Sequence, residues 1–181
     1  MLDRGMDNLF KEAVIHREQH GCGGYPYEHA DMLRLFIMLK KPFKILELGT
    51  GLGYTSAVMA KSSKDIQIDT LDQDETHVEL AKRSWQTLGV TSQITPHIGK
   101  AEDVLPKLTG EYDLIFFDGY SPSMKFFTQF ERLLKKNGIL VTANMFLKDE
   151  RGGKYMRALS QKHRWQLGVF ADTTVAIKLF Q

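Results

Sequence analysis

The 181-residue chain sets 24 Lys and Arg against 22 Asp and Glu, a formal net charge of +2, and its 43% hydrophobic and 25% charged residues point away from a disordered chain and from a disulfide scaffold. The length suits one domain with a substantial core, not two large lobes, and no run approaches the roughly 18 to 20 apolar residues of a membrane span. The first residues mix acids with bases where a signal peptide needs an apolar core, and Cys22 has no internal disulfide partner, so a cytoplasmic protein with no membrane or DNA partner is expected.

Apolar residues recur at helical spacing from Met6 to His20 until Gly21, Gly23, Gly24 and Pro26 break the pattern. Cys22, among these glycines, reads as incidental. A second helix is expected from Glu28 to Lys40, ended by Pro42. The chain then alternates: strand Lys44 to Leu48, helix Tyr54 to Lys61, strand Ile66 to Leu71, helix Glu75 to Leu88 and strand Ile94 to Ile98. A short helix from Ala101 to Leu108, strand Leu114 to Phe117, helix Lys125 to Leu134 and strand Ile139 to Ala143 continue the rhythm. Such alternation predicts βαβ units and a parallel sheet buried on both faces. A basic helix from Gly153 to His163 leads to strands Trp165 to Phe170 and Thr174 to Phe180, too close together for a helical crossover and so antiparallel. The expected organisation is a single α/β domain over 1–181, with N-terminal helices and a substrate-side loop in 1–41 and a Rossmann-like core in 42–181.

The first strand runs through Glu47-Leu48-Gly49-Thr50-Gly51-Leu52-Gly53-Tyr54-Thr55 into a helix, and such a backbone admits a ligand closely. A dinucleotide fingerprint spaces its glycines GxGxxG; here the spacing is GxGxG with an acid two residues before the first glycine. A Gly-rich turn that binds nothing, or a nicotinamide fold with a shortened loop, has the same local appearance. The next strand ends at Asp72, placed to accept two hydrogen bonds from ribose hydroxyls, whereas Asp74 reads as the cap of the following helix. Asp118 ends the fourth strand in Asp118-Gly119-Tyr120-Ser121-Pro122, where open α/β sheets hold their ligands, although a plain turn aspartate would look alike.

The GxGxG loop resembles the cofactor motif of class I S-adenosylmethionine-dependent methyltransferases, and the motifs from Glu28 to Ala143 resemble the O-methyltransferase family of catechol and caffeoyl-CoA enzymes. The resemblance implies a seven-stranded sheet ordered 3-2-1-4-5-7-6, with strand 7 antiparallel. It implies S-adenosylmethionine as cofactor, with Glu47 facing its ammonium, Gly49, Gly51 and Gly53 against its amino-acid end, and Thr55 with the helix N-terminus on its carboxylate. Ala101 and Glu102 match positions that lie against the adenine ring, although Glu102 also suits a helix's first turn. Asp118 would lie beside the transferred methyl. A homodimer is the assembly common in that family.

The family's divalent metal is held by the aspartate after strand four and an Asp-Asn pair after strand five. Asp118 and Asn144 match, but Ala143 replaces the second aspartate, so only a degenerate remnant is expected and no tight catalytic metal. The family's lysine after Asp118 is absent too; Tyr120 is left to orient the acceptor, since a phenol of ordinary pKa near ~10 is a poor base. The acceptor expected is a small molecule or an RNA nucleoside. Asp118 to Pro122 also resembles a motif of tRNA wobble-uridine N-methyltransferases, which keeps a nitrogen acceptor open. Arg151, Lys154, Arg157, Lys162 and Arg164 offer a resting place for an anionic substrate or, more simply, a solvated helix face. A non-catalytic S-adenosylmethionine-binding module and a nicotinamide oxidoreductase are the competing functional classes.

Overall fold

The computed structural model describes residues 4–119, 122–145 and 150–181, without the side chains of Glu150 and Arg151. Two helices, α1 (Arg4–His20) and α2 (Ala30–Lys40), precede the alternating core. It runs β1 (Lys44–Leu48), α3 (Tyr54–Ser62), β2 (Gln67–Asp72), α4 (Glu75–Leu88), β3 (Ile94–Ile98), α5 (Ala101–Val104), β4 (Tyr112–Phe117), α6 (Met124–Leu133), β5 (Leu134–Thr142), α7 (Glu150–Leu159), β6 (Trp165–Phe170) and β7 (Thr173–Lys178). The strands form one sheet ordered β3-β2-β1-β4-β5-β7-β6. All pairs from β3 to β5 are parallel, and β7 runs antiparallel to both its neighbours. This is the seven-stranded Rossmann-like α/β sheet expected from the sequence. Among the described residues no helix is long and apolar enough to cross a membrane.

Alternation within the strands distributes the core over two faces. Ile45, Ile68, Leu114 and Phe116 point to one face, covered by α1 to α4 through Leu9, Leu33, Met59 and Trp85. Leu46, Ile115 and Phe117 point to the other, covered by Phe127, Phe130, Tyr155 and Leu159 of α6 and α7. With both faces of β1 and β4 dry, the ends of these strands are the places left for polar chemistry, and the carboxyl ends gather Gly49, Asp72 and Asp118.

Three elements differ markedly from the sequence reading, two of them for identifiable reasons. The helix expected over Ala101 to Leu108 is a single α-turn followed by a 3-10 turn, because Pro106 supplies no amide to continue it. β5 starts at Leu134, where a loop was expected before Ile139: Leu134 pairs with Tyr112 and the register then shifts, with Asn137 at φ 62 in the bulged entry. Lys178 fixes this junction, its buried Nζ donating to the carbonyls of Glu131 and Leu134 at 2.7 and 2.8 Å. The last basic helix lies at Glu150–Leu159, earlier than the expected Gly153 to His163.

Candidate active site

A cavity of about 740 Å³ opens at the carboxyl ends of β1, β2 and β4, a size ordinary for cofactor sites. Gly49, Gly51, Thr55, Asp72, Asp118 and Asn144 all line it. The loop after β1 carries three left-handed glycines, at φ 100, 49 and 80 for Gly49, Gly51 and Gly53. Each has a different need for its missing side chain. A Cβ on Gly49 would lie 2.6 Å from the backbone oxygen of Asp118, and one on Gly53 2.4 Å from Nε1 of Trp85; around Gly51 the space is open. Gly49 and Gly53 therefore fit the loop to the protein, and Gly51 leaves bare backbone towards the cavity. α3 follows with Gly53 as its N-cap and no side-chain cap, so its first amides remain available beside Thr55.

Asp72 organises this loop. Its Oδ2 accepts from the Gly51 amide at 2.9 Å, its Oδ1 accepts from the Asp74 amide at 3.0 Å, and His77 Nδ1 lies 3.4 Å from Oδ2. Burial pushes the Asp72 carboxyl up, but His77 and the two amides outweigh it and hold the group below its ordinary value. The hydrogen bond to Asp72 pushes His77 up to about 9. Oδ1, with the Asp74 amide as its one donor, keeps a lone pair free for a further donor, whereas Oδ2 is shared between the Gly51 amide and His77. Asp74 caps α4, accepting from the Thr76 amide at 2.8 Å.

Across the cavity, Asp118 Oδ1 accepts from Asn144 Nδ2 at 3.0 Å. Burial drives its carboxyl up to about 7, against the Asn144 hydrogen bond and with help from the nearby charge of Asp172. Asp172 sits in the turn between β6 and β7 and lines the same cavity. It was missed in the sequence because only the insertion of β7 beside β5 brings that turn to the sheet's carboxyl end. The loop after α1 supplies another wall, and Tyr27 anchors it through a buried 3.0 Å hydrogen bond between its hydroxyl and Thr173 Oγ1.

Several expected site residues lie outside this lining. Glu47 is fully buried behind the loop; Thr70 Oγ1 donates to its Oε2 at 2.6 Å, and its Oε1 has no partner. Burial raises its carboxyl to about 8, opposed by Thr70 and reinforced by Asp118. Gly53 is turned against Trp85, whose Nε1 donates to the Gly53 carbonyl at 3.1 Å. Ala101 and Glu102 do not reach the cavity, because α5 packs Ala101 onto the second core. Ala143 is 2% exposed and packed in the first core, so the position where the family carries a metal-binding aspartate contributes only a methyl group. Tyr120 and Ser121 lie outside the described residues. In the basic cluster Arg164 is committed elsewhere, donating to Glu131 at 2.6 Å and stacking over Phe180. Cys22, read as incidental, lines the cavity with His16 and His77. The spacing His16-x3-His20-x-Cys22 was the signal available in the sequence.

Comparison with known proteins agrees with this architecture. The O-methyltransferase family profile matches residues 5–157. Catechol O-methyltransferase of Niastella koreensis is 34% identical over 122 residues, which are 65% of this chain and 55% of that protein. Catechol O-methyltransferase of Mycobacterium tuberculosis is 29% identical over 113 residues, 61% of this chain and 50% of that protein, so the chain spans about half the length of these relatives. Among solved structures, the O-methyltransferase TomG of Streptomyces achromogenes, in complex with SAM, superposes with a TM-score of 0.83 at 22% identity, covering 99% of this chain and 92% of that one. An O-methyltransferase of Bacillus cereus in complex with SAH superposes at 0.82 with 16% identity, covering 98% and 92%. With the family profile spanning most of its length and the fold matching throughout, the chain belongs to the O-methyltransferase family.

Proposed function

We propose that this protein uses S-adenosylmethionine to methylate a hydroxyl group of a small molecule. The observation that carries the reading is the convergence on one cavity of the glycine loop after β1, Asp72 after β2 and Asp118 after β4. A cationic amino-acid ligand suits this loop better than a pyrophosphate does. The unpartnered, buried Oε1 of Glu47 behind the loop favours a positive group nearby, and the uncapped start of α3 favours a carboxylate. In this reading Gly49, Gly51 and Thr55 hold the amino-acid end and Asp72 accepts from the ribose hydroxyls.

When bound, S-adenosylmethionine supplies an electrophilic methyl carbon on a sulfonium leaving group. The protein's own work is to align the acceptor oxygen and exclude water, which lowers the entropic part of the barrier. Asp118, buried and hydrogen-bonded to Asn144, is placed to receive the acceptor's proton; burial brings its proton affinity close to neutrality, where a general base works best. The residues do not fit the family's magnesium set, because Ala143 offers no oxygen and is sealed in the core, and no step is assigned to such a metal.

Calorimetric titration with S-adenosylmethionine, its demethylated product and NAD tests the cofactor, followed by a hydroxyl-acceptor screen on the complex. Saturable 1:1 binding of the first two and none of NAD is expected. Tighter binding of NAD would overturn the reading in favour of an oxidoreductase, and cofactor binding without turnover on any acceptor would favour a binding module.

A further inference from the structure

We propose that His16, His20, Cys22 and His77 form a zinc site that fastens the end of α1 and its following loop to α4 at the rim of the cavity. The four side chains each offer one ligand atom, and these atoms all lie within 4.8 Å of one another. Three imidazoles and one thiol are the donor set of a borderline divalent ion such as zinc, not of magnesium or calcium. Tetrahedral Zn–N bonds of ~2.0 Å and a Zn–S bond of ~2.3 Å put ligand atoms roughly 3.3 to 3.5 Å apart, so closing on an ion takes side-chain adjustments of about 1 Å.

The local sequence builds this geometry. His16 and His20 are four residues apart on α1 and therefore share a face, with rings stacked at 4.7 Å. Gly21, at φ 67, ends the helix and turns the chain so that Cys22 comes back beside them. His77 arrives from the first turns of α4, its ring 5.2 Å from that of His16 and 5.4 Å from that of His20.

Two observations separate this cluster from a chance gathering of histidines. The Nε2 atoms of both His16 and His77 are buried without a hydrogen-bond partner, and His77 as a residue is only 7% exposed. Leaving two such nitrogens unsatisfied is costly; a metal ion in their midst satisfies both. The Nδ1 of His77 faces Asp72 Oδ2 at 3.4 Å, the carboxylate–histidine arrangement that directs the other ring nitrogen to a metal. Asp74 adds negative charge beside the cluster, with Oδ2 3.9 Å from His20 Nε2 and 3.8 Å from His77 Nε2. Those separations are too long for hydrogen bonds, so Asp74 does not itself satisfy the imidazoles.

The test is spectroscopic and needs no acceptor. Tag-free protein, stripped with chelator and titrated with Co(II), should show tetrahedral ligand-field bands and a thiolate-to-cobalt charge-transfer band that saturate at one equivalent and are displaced by one equivalent of zinc. Cys22→Ser should abolish the charge-transfer band and weaken zinc at least tenfold, and His20→Asn should weaken zinc at least tenfold with unchanged far-ultraviolet circular dichroism. At a fixed buffered zinc concentration, zinc should raise the melting temperature of the unmodified protein clearly more than that of Cys22→Ser. Absence of a saturable 1:1 signal, or a charge-transfer band that survives Cys22→Ser, would overturn the proposal.

Discussion

Replacing Glu47 by Gln should remove a pH dependence of stability that the native protein carries between about pH 5 and 8. Glu47 is completely buried, one carboxylate oxygen has no partner, and its carboxyl stands at about 8 against an ordinary 4.5. Below 4.5 folded and unfolded chains both hold the proton; between the two values only the unfolded chain loses it; above 8 both have lost it. The folded state thus binds the extra proton, and stability falls as pH rises through this window. One pKa unit is worth ~1.4 kcal/mol, so the full displacement from 4.5 to about 8 amounts to at most something on the order of 5 kcal/mol. Glutamine keeps the shape and the acceptor for Thr70 but cannot ionise. Urea unfolding followed by the fluorescence of the buried Trp85 and Trp165 measures the difference. The variant and the native protein should be close in stability at pH 5, and the variant should gain on the native protein by ~2–4 kcal/mol by pH 8.5. His77, whose proton is also held more tightly in the fold, tilts both curves alike and drops out of the comparison, while Asp118, whose charge helps to raise Glu47, adds a smaller coupled change. Parallel curves from pH 5 to 8.5 would refute the reasoning.

Gly53→Ala should cost ~2–5 kcal/mol in the same unfolding assay, from the left-handed backbone and the Cβ overlap with buried Trp85 together; a loss under about 1 kcal/mol would mean the indole yields freely. Asp72→Ala should weaken S-adenosylmethionine by ~1.5–3 kcal/mol in calorimetry, and unchanged affinity would remove Asp72 from the ribose. With an acceptor in hand, Asp118→Ala should lower kcat far more than it weakens cofactor binding, whereas normal turnover would move the base elsewhere. Turnover should change less than about twofold when millimolar magnesium is added at a fixed, buffered zinc concentration, and Ala143→Asp should create a magnesium response; strict dependence of the unmodified protein on magnesium would show that Asp118, Asn144 and Asp172 suffice as a site.

What was legible in the sequence follows the range of the forces involved. β1, α4, β3 and β6 were readable to the residue, the first three because each is an apolar or periodic run bounded by glycine, proline or a capping acid, and β6 because too few residues separate it from β7 for anything but a tight turn. The sheet order came through resemblance, since nothing local states that β7 inserts between β5 and β6. The glycine loop, Asp72 and Asp118 were visible as strand-end motifs, and they do converge on one cavity. Ala101 and Glu102 were placed by analogy, and the packing of Ala101 onto the second core orients α5. Asp172 and His77 join their clusters across long sequence separations, which no local pattern records. Cys22 was passed over because its partners stand on two different helices.

The position of β7 also dictates an order of assembly. β6 is made before β7 but has no neighbour in the sheet except β7, so until the later strand has come between β5 and β6 the sheet does not hold Trp165 against Phe127 of α6. The β6–β7 hairpin is local, but the β5–β7 pairing joins residues far apart in sequence and forms slowly, because the entropy of closing the loop is lost before any contact offsets it. Asp172 travels in the turn of that hairpin, and Thr173, at its edge, is the hydrogen-bond partner of the Tyr27 hydroxyl. A nascent chain released early would thus own a finished glycine loop while its opposite wall and the loop over it still hung loose, and ligand recognition would begin only when the hairpin seats.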